Sequence, residues 1–151
     1  MIQDMKNKVV GLTAMSGELL HAGHCQALEE ARAQCDYLIV AFNVSPEYKT
    51  CDESVFERWT RLKGSRYVDE LIPYESEADL ELLHAVYLPH VHKRFVGEDY
   101  KGKDFTGKKR CEELGVEVIF TARKHSLSVT ELKNRLRNKK LHKATNVCDK
   151  V

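Results

Sequence analysis

Two imidazoles stand three residues apart in His21-Ala22-Gly23-His24, and the residue types around them suit the handling of a polyphosphate. The segment follows an apolar run, Lys8 to Met15, and opens a stretch of helical periodicity. A helix that begins there offers an anion its unpaired N–H groups and the positive end of its dipole. Gly23 brings no Cβ, so a phosphate oxygen can approach the backbone closely. The two rings can project to one side of the loop-to-helix junction. A metal is the other ligand that two histidines suit, but no third ligand stands at a suitable spacing. A His-x-x-His pair on its own is more often incidental than functional. Its place directly after an apolar strand separates this pair from that bland reading.

Several elements must hold the pair in place. Lys8 to Met15 reads as a strand that ends in a small-residue turn. Ala27, Leu28 and Ala31 give helical spacing over about 24–34. Tyr37 to Phe42 is a continuous apolar run, the pattern of a strand covered on both faces. Asp52 is placed to cap a helix over 53–63, and Gly64 to stop it. Tyr67 to Ile72 reads as a third strand closed by Pro73, and 77–87 as a helix stopped near Pro89. Arg94 to Val96 is a fourth strand, and 98–109 a polar loop with Gly102 and Gly107. A short helix over 108–114 stops at Gly115, and Val116 to Thr121 is a fifth strand. Ser128 with Glu131 signals a helix start, the helix running to about Arg137 before a frayed, Lys-rich tail.

Strands alternating with helices imply βαβ units with right-handed crossovers. The expected class is α/β: a single Rossmann-like domain over 1–137 with a five-stranded parallel sheet flanked by helices, followed by a basic C-terminal tail over 138–151. A ligand of such a sheet lies at the carboxyl ends of its strands, near the switch point. That directs attention to 15–24, 43–50, 97–108 and 122–130, where the chemically loaded residues fall.

A chain of 151 residues can bury a core without staples. Its 24 basic and 23 acidic side chains nearly cancel, so neither nucleic acid nor an anionic membrane is the expected partner. The five cysteines are scattered and odd in number, which fits reduced thiols rather than a disulfide framework or a zinc knuckle. No apolar run approaches the ~18 residues of a membrane span, and the first eight residues lack the apolar core of a secretion signal. The expected location is cytoplasmic.

Four segments together resemble a known family. Ser16 to His24 is similar to the His-x-Gly-His signature of the cytidylyltransferases, bacterial glycerol-3-phosphate cytidylyltransferase among them. Arg66 to Pro73 (RYVDELIP) resembles a second conserved segment of that family, and Gly97 to Gly102 (GEDYKG) its Gly-Asp-Asp-Trp. Arg123 to Thr130 (RKHSLSVT) is similar to its other signature, Arg-Thr-x-Gly-Ile-Ser-Thr-Thr. The likeness runs in register from about residue 9 to 137. Departures cluster around the triphosphate and acceptor: Ser16-Gly17-Glu18 stands for Thr-Phe-Asp, and Glu47 replaces the partner of Lys49. In the second signature Lys124, Ser126 and Val129 replace a threonine, a glycine and a hydroxyl residue.

The resemblance implies a direct displacement: an acceptor phosphate oxygen attacks the α-phosphorus of a nucleoside triphosphate and pyrophosphate leaves. Catalytic roles fall to His21, His24, Lys49 and Arg123. Nucleotide binding falls to Ser16, Gly17, Gly23, Asp99, Lys124, Ser128 and Thr130, and acceptor binding to Glu18 and Arg58. Mg2+ is the expected cofactor, bridging phosphates mainly through water and substrate oxygens, with no metal-ligating residue assigned. The expected partners are CTP, or ATP, and a small phosphorylated acceptor, and a homodimer is expected from the Arg66–Asp69 match. ATP with a sugar or flavin-type phosphate is the runner-up. A nucleotide-binding regulatory protein without turnover is a reading from another class, and a metal-storage or redox module a distant fourth.

Blander readings stand beside these. Arg58 can be a solvated helix-face residue beside Glu57 and Arg61, and Asp99 a turn cap. Arg66 and Asp69 suit an ion pair or subunit contact. His84, His90 and His92 are expected to be solvated or partly buried rather than metal ligands, and Trp59 to pack.

Overall fold

The computed structural model describes residues 5–47, 49–122 and 128–148, with side chains as far as residue 139. The elements alternate: β1 (Val10–Met15), α1 (Ala22–Arg32), β2 (Tyr37–Asn43), α2 (Val55–Lys63), β3 (Glu70–Tyr74), α3 (Glu77–Tyr87), β4 (Lys93–Gly97), α4 (Lys108–Leu114), β5 (Glu117–Thr121) and α5 (Val129–Cys148). All the strand pairs are parallel, in the order β3-β2-β1-β4-β5. The expected five-stranded parallel α/β sheet is therefore the observed one. The chain winds outward from β1 through β2 to β3, then returns to the other side of β1 for β4 and β5. The switch point lies between the carboxyl ends of β1 and β4, where a ligand crevice opens in such sheets.

Both faces of the sheet are covered, which explains the unbroken apolar run in β2, buried from Leu38 to Asn43. On one face Leu28 and Ala31 of α1 and Leu62 of α2 pack on Leu38, Val40, Phe42 and Phe95. On the other, Leu80 and Leu83 of α3 and Cys111 of α4 pack on Val10, Leu12, Ile39 and Ala41. Trp59 packs edge-on against Phe42, with ring centroids 5.6 Å apart, as its place on the helix suggested.

Several boundaries differ from the sequence reading, β3 for one beginning at Glu70 rather than Tyr67. α2 is capped by Ser54 rather than Asp52, because Ser54 and Glu57 satisfy each other's backbone N–H groups in a capping box. β3 runs through Pro73 to Tyr74 instead of stopping before it. β3 is an edge strand, paired only with β2, and an edge tolerates a residue without an N–H. The final helix continues past Arg137 to Cys148, so 138–148 is helical and not a frayed tail. No glycine or proline interrupts 129–148, and good helix formers such as Lys, Arg and Leu fill it. None of the described helices is long and apolar enough to cross a membrane.

Candidate active site

At the switch point a cleft of about 250 Å³ opens, walled by His21, Gly23 and His24 after β1, by Gly97 at the end of β4 and Asp99 just after it, and by Ser128 after β5. Three segments distant in sequence thus meet, as the sheet topology requires. Asp99 lies in a single 3-10 turn, Glu98–Tyr100, directly after β4.

The two histidines are built into the start of α1. His21 is the N-cap, and its Nδ1 accepts from the Gly23 N–H at 3.0 Å. His24 sits three residues on, and its Nδ1 accepts from the His21 N–H at 3.3 Å. This is a capping box in which imidazoles take the places usually filled by serine and glutamate. The rings stack with centroids 4.1 Å apart and 29° between planes. An Nδ1 that accepts carries no proton, so each neutral ring holds its proton on Nε2. The helix start therefore fixes the tautomer of both side chains and makes Nε2–H the donor that each can offer to a phosphate oxygen. Ser128 caps α5 on the opposite wall, its Oγ accepting from the Glu131 N–H at 3.0 Å. Two helix N-termini thus border one cleft, and each favours negative charge.

The loop between β1 and α1 is held from behind. Gly17 has φ +65°, and a Cβ there would lie 2.6 Å from Leu62 Cδ1. Only glycine combines that backbone with that contact. Leu19 also has positive φ, 50°, and its N–H donates to the Glu53 carboxylate. Ser16 is buried, and it and Gly17 are not cleft walls; they shape the loop that carries His21. Thr130 is exposed on the first turn of α5, outside the walls of the cleft.

Glu18 is 1% exposed and is the hub of the polar contacts behind this loop. It accepts from the Asp52 N–H at 2.9 Å and meets Lys133 Nζ at 3.0 Å and Lys49 Nζ at 3.4 Å. Lys133 also reaches Asp52 at 2.7 Å. Burial pushes the Glu18 carboxyl up, but the Asp52 N–H and the two lysines outweigh it and hold it below its usual value. Glu18 is thus engaged by three protein partners, Asp52, Lys133 and Lys49. Lys133 escaped the sequence reading. A lysine so close to a helix N-terminus runs against the dipole, and that was the available signal.

Arg58 departs from the solvated helix-face reading: it is 2% exposed, beneath the loops. Its Nη1 donates to the carbonyls of Ser16 and Asn43, both at 2.9 Å, and its Nη2 to that of Val44 at 2.7 Å. It ties the exit of β1 to the exit of β2. Asp69 forms an ion pair, as expected, with Arg32 as its partner at 3.0 Å. His84 is fully buried rather than solvated or partly buried. Among the described residues no group of three or more His, Cys, Asp or Glu could hold a metal. Arg123 and Lys124 lie outside the described residues.

An open parallel sheet with paired imidazoles at a helix start on its switch point is the architecture of a nucleotidyltransferase. The profile of the family described as cytidylyltransferase-like matches residues 18–143, and the chain belongs to that family. It is similar to glycerol-3-phosphate cytidylyltransferase of Bacillus subtilis, 34% identical over 79% of this chain and 90% of that protein. It is similar also to the bifunctional protein HldE of Granulibacter bethesdensis, 38% identical over 72% of this chain but spanning only 23% of that longer protein. The fold is shared with a lipopolysaccharide core biosynthesis protein from Thermoplasma volcanium, with a TM-score of 0.64 at 16% identity, covering 79% of this chain and 100% of that one.

Proposed function

We propose that this nucleotidyltransferase moves CMP from CTP to a small phosphorylated alcohol of the glycerol 3-phosphate type. The observation that carries the reading is the histidine capping box, which sets two imidazoles at one helix start on the wall of a cleft bordered by a second. An acceptor phosphate oxygen attacks the α-phosphorus, a new P–O bond forms, the bond to the β-phosphate oxygen breaks, and pyrophosphate carries the electron pair away. Such a step needs positioned donors where negative charge grows, more than it needs a general base. His21 and His24 serve the α- and β-phosphates, and Ser128 with Arg123 and Lys124 the β- and γ-phosphates. Lys49 and Lys133 approach the triphosphate from the second strand's loop and from α5, with Glu18 setting their positions. Asp99 accepts from the exocyclic amine of the base. Magnesium enters with the triphosphate as substrate.

The similarity to the Bacillus subtilis enzyme over 90% of its length supports CTP and the glycerol phosphate class. ATP with a sugar phosphate remains the second reading. We further propose a cytoplasmic homodimer. Exposed Val55 and Phe56 on α2, the latter 76% exposed, are apolar surface suited to a second copy. An elution volume matching a 17.4 kDa monomer would overturn the dimer.

The test of function is pyrophosphate release with magnesium, crossing CTP and ATP against glycerol 3-phosphate, sugar phosphates and flavin precursors. A signal for CTP with a phosphorylated alcohol is expected. Silence throughout, with triphosphate binding seen as a rise in Tm, would replace the enzyme with a nucleotide-binding regulator.

A further inference from the structure

The last helix must stand at the cleft, yet little of it touches the rest of the chain. Val129, Leu132 and Lys133 are half-buried, whereas every residue from Asn134 to Lys139 is exposed. α5 therefore meets the body along its first turns and then leaves it. A helix with so little packing is only marginally stable in water. Its start is nonetheless a wall of the cleft, through Ser128 and Val129. Something has to hold that wall against the His21 side.

Among the described residues, the ion pairs that join α5 to the rest of the chain are made by one side chain, Lys133. Its Nζ lies 3.0 Å from a Glu18 carboxylate oxygen and 2.7 Å from one of Asp52. Glu18 belongs to the loop that carries His21, and Asp52 to the segment that leads into α2. One ammonium thus joins three segments that the sequence keeps far apart. The Glu18 branch is buried, so salt screens it little, whereas the Asp52 branch is exposed and weaker. Lys133 itself is not a cleft wall, although Ser128 and Val129 at the start of its helix are. The two carboxylates also account for a lysine so near a helix N-terminus, where the dipole disfavours it.

We propose that Lys133 is a positioning residue for the transfer: by gripping Glu18 and Asp52 it fixes the start of α5 against the His21 loop, and so sets the separation of the two helix starts that receive the triphosphate. The assignment deepens the nucleotidyl-transfer reading and rests on it. Lys133 acts through Ser128 and the N–H groups of the first turn of α5, which serve a polyphosphate only while the helix is docked.

The experiment compares the full chain with Lys133→Met, Lys133→Arg and Asp52→Asn in two measurements. The first is amide hydrogen exchange without ligand, read at Glu131 and Leu132, whose N–H groups bond to the Ser128 side chain and carbonyl. Lys133→Met is expected to speed exchange there about tenfold or more, with the sheet amides unchanged. The second is the Kd for CTP and for ATP with magnesium, by calorimetry. Lys133→Met should raise it about tenfold or more, the loss of a charge-assisted contact. Lys133→Arg, which can still reach both carboxylates, should bind within a few-fold of wild type. In turnover, the triphosphate KM should rise in Lys133→Met while the acceptor KM stays.

Asp52→Asn decides between a clamp and a lysine that binds phosphate directly. A clamp loses one of its two anchors, so Kd rises roughly twofold to fivefold, the scale of an exposed ion pair. A phosphate-binding lysine loses a competitor instead, and Kd falls. Asp52 is exposed, so this variant keeps the test alive if Lys133→Met fails to fold. The proposal is overturned if Asp52→Asn binds more tightly or as wild type, if Lys133→Met exchanges as wild type does, or if neither triphosphate binds the wild-type chain. Faster exchange and weaker triphosphate binding in Lys133→Met, without pyrophosphate release from the wild type, would keep the clamp and remove the transfer reading. Wild-type turnover with a triphosphate KM that Lys133→Met does not move would keep the transfer reading and remove the clamp.

Discussion

His21 and His24 carry two duties that mutation can separate. As caps they satisfy the Gly23 and His21 N–H groups through Nδ1; as donors they would act through Nε2. Asparagine at an N-cap accepts as well as any side chain does, and glutamine at the third helical position can complete a capping box. His21→Asn and His24→Gln are therefore expected to unfold in urea within about 1 kcal/mol of wild type. Both should lose roughly two to three decades of turnover, the usual cost of one donor on a developing oxyanion. His21→Ala should lose the activity and, in addition, about 1 kcal/mol of stability. Turnover within a few-fold of wild type in His21→Asn and His24→Gln would mean that the histidines serve the helix and not the phosphates. The same double duty explains why the motif is short: one helix start sets ring position, tautomer and local dipole together.

At the scale of elements, the site depends on keeping the exits of β1 and β2 at a fixed separation, and Arg58 does this from α2. Arg58→Met removes three donated hydrogen bonds and leaves the Ser16, Asn43 and Val44 carbonyls short of partners. A loss of roughly 2–4 kcal/mol is expected, tempered by the relief of a buried charge. Urea unfolding measures it. An unchanged midpoint with a raised acceptor KM would restore the direct acceptor contact that the motif suggested. The sheet and helix pattern was legible because apolar runs, Gly115 and the Ser128–Glu131 pair act over a few residues. So was the cleft, because strand ends and helix starts converge by topology alone. Arg58 and Glu18 were not legible. Their partners lie 14 to 42 residues away for Arg58, and as far as 115 for Glu18, so no local pattern reports that the fold turns both inward. Ser54 displaced Asp52 as the cap for a local reason, the glutamate three residues on. The last helix ran on because nothing in its sequence breaks it.

For the whole molecule, the most consequential misfit is a buried basic group that does not line the histidine cleft. His84 of α3 is fully buried, and neither ring nitrogen has a hydrogen-bond partner among the described residues. Gly107 makes room for it: a Cβ there would stand 2.4 Å from His84 Nδ1, on a backbone with φ +87°. Burial above all, then the nearby Arg94 and Arg110, holds the imidazole neutral and lowers its pKa from 6.5 to about 3. The folded-state value lies below the unfolded one, so acid favours the unfolded chain. Above pH 6.5 neither state protonates this ring, and it adds no pH dependence. Below pH 6.5 the unfolded ring gains a proton that the folded one refuses, and stability falls by up to about 1.4 kcal/mol per pH unit until about pH 3. Glu18, Glu57 and Asp79, all held below their usual values, contribute stability that is present above the ordinary carboxylate range and lost only as pH falls through their folded values. Their effect thus begins at lower pH than that of His84. His84→Leu replaces two unpaired nitrogens with an apolar side chain and is expected to raise stability at pH 7 by about 1–3 kcal/mol. It should also flatten the stability curve between pH 6.5 and pH 5, where the carboxylates do not yet respond. Unfolding free energies of wild type and variant across that interval decide the matter. Parallel curves would show that His84 finds a partner in solution, and would remove it as the source of acid sensitivity.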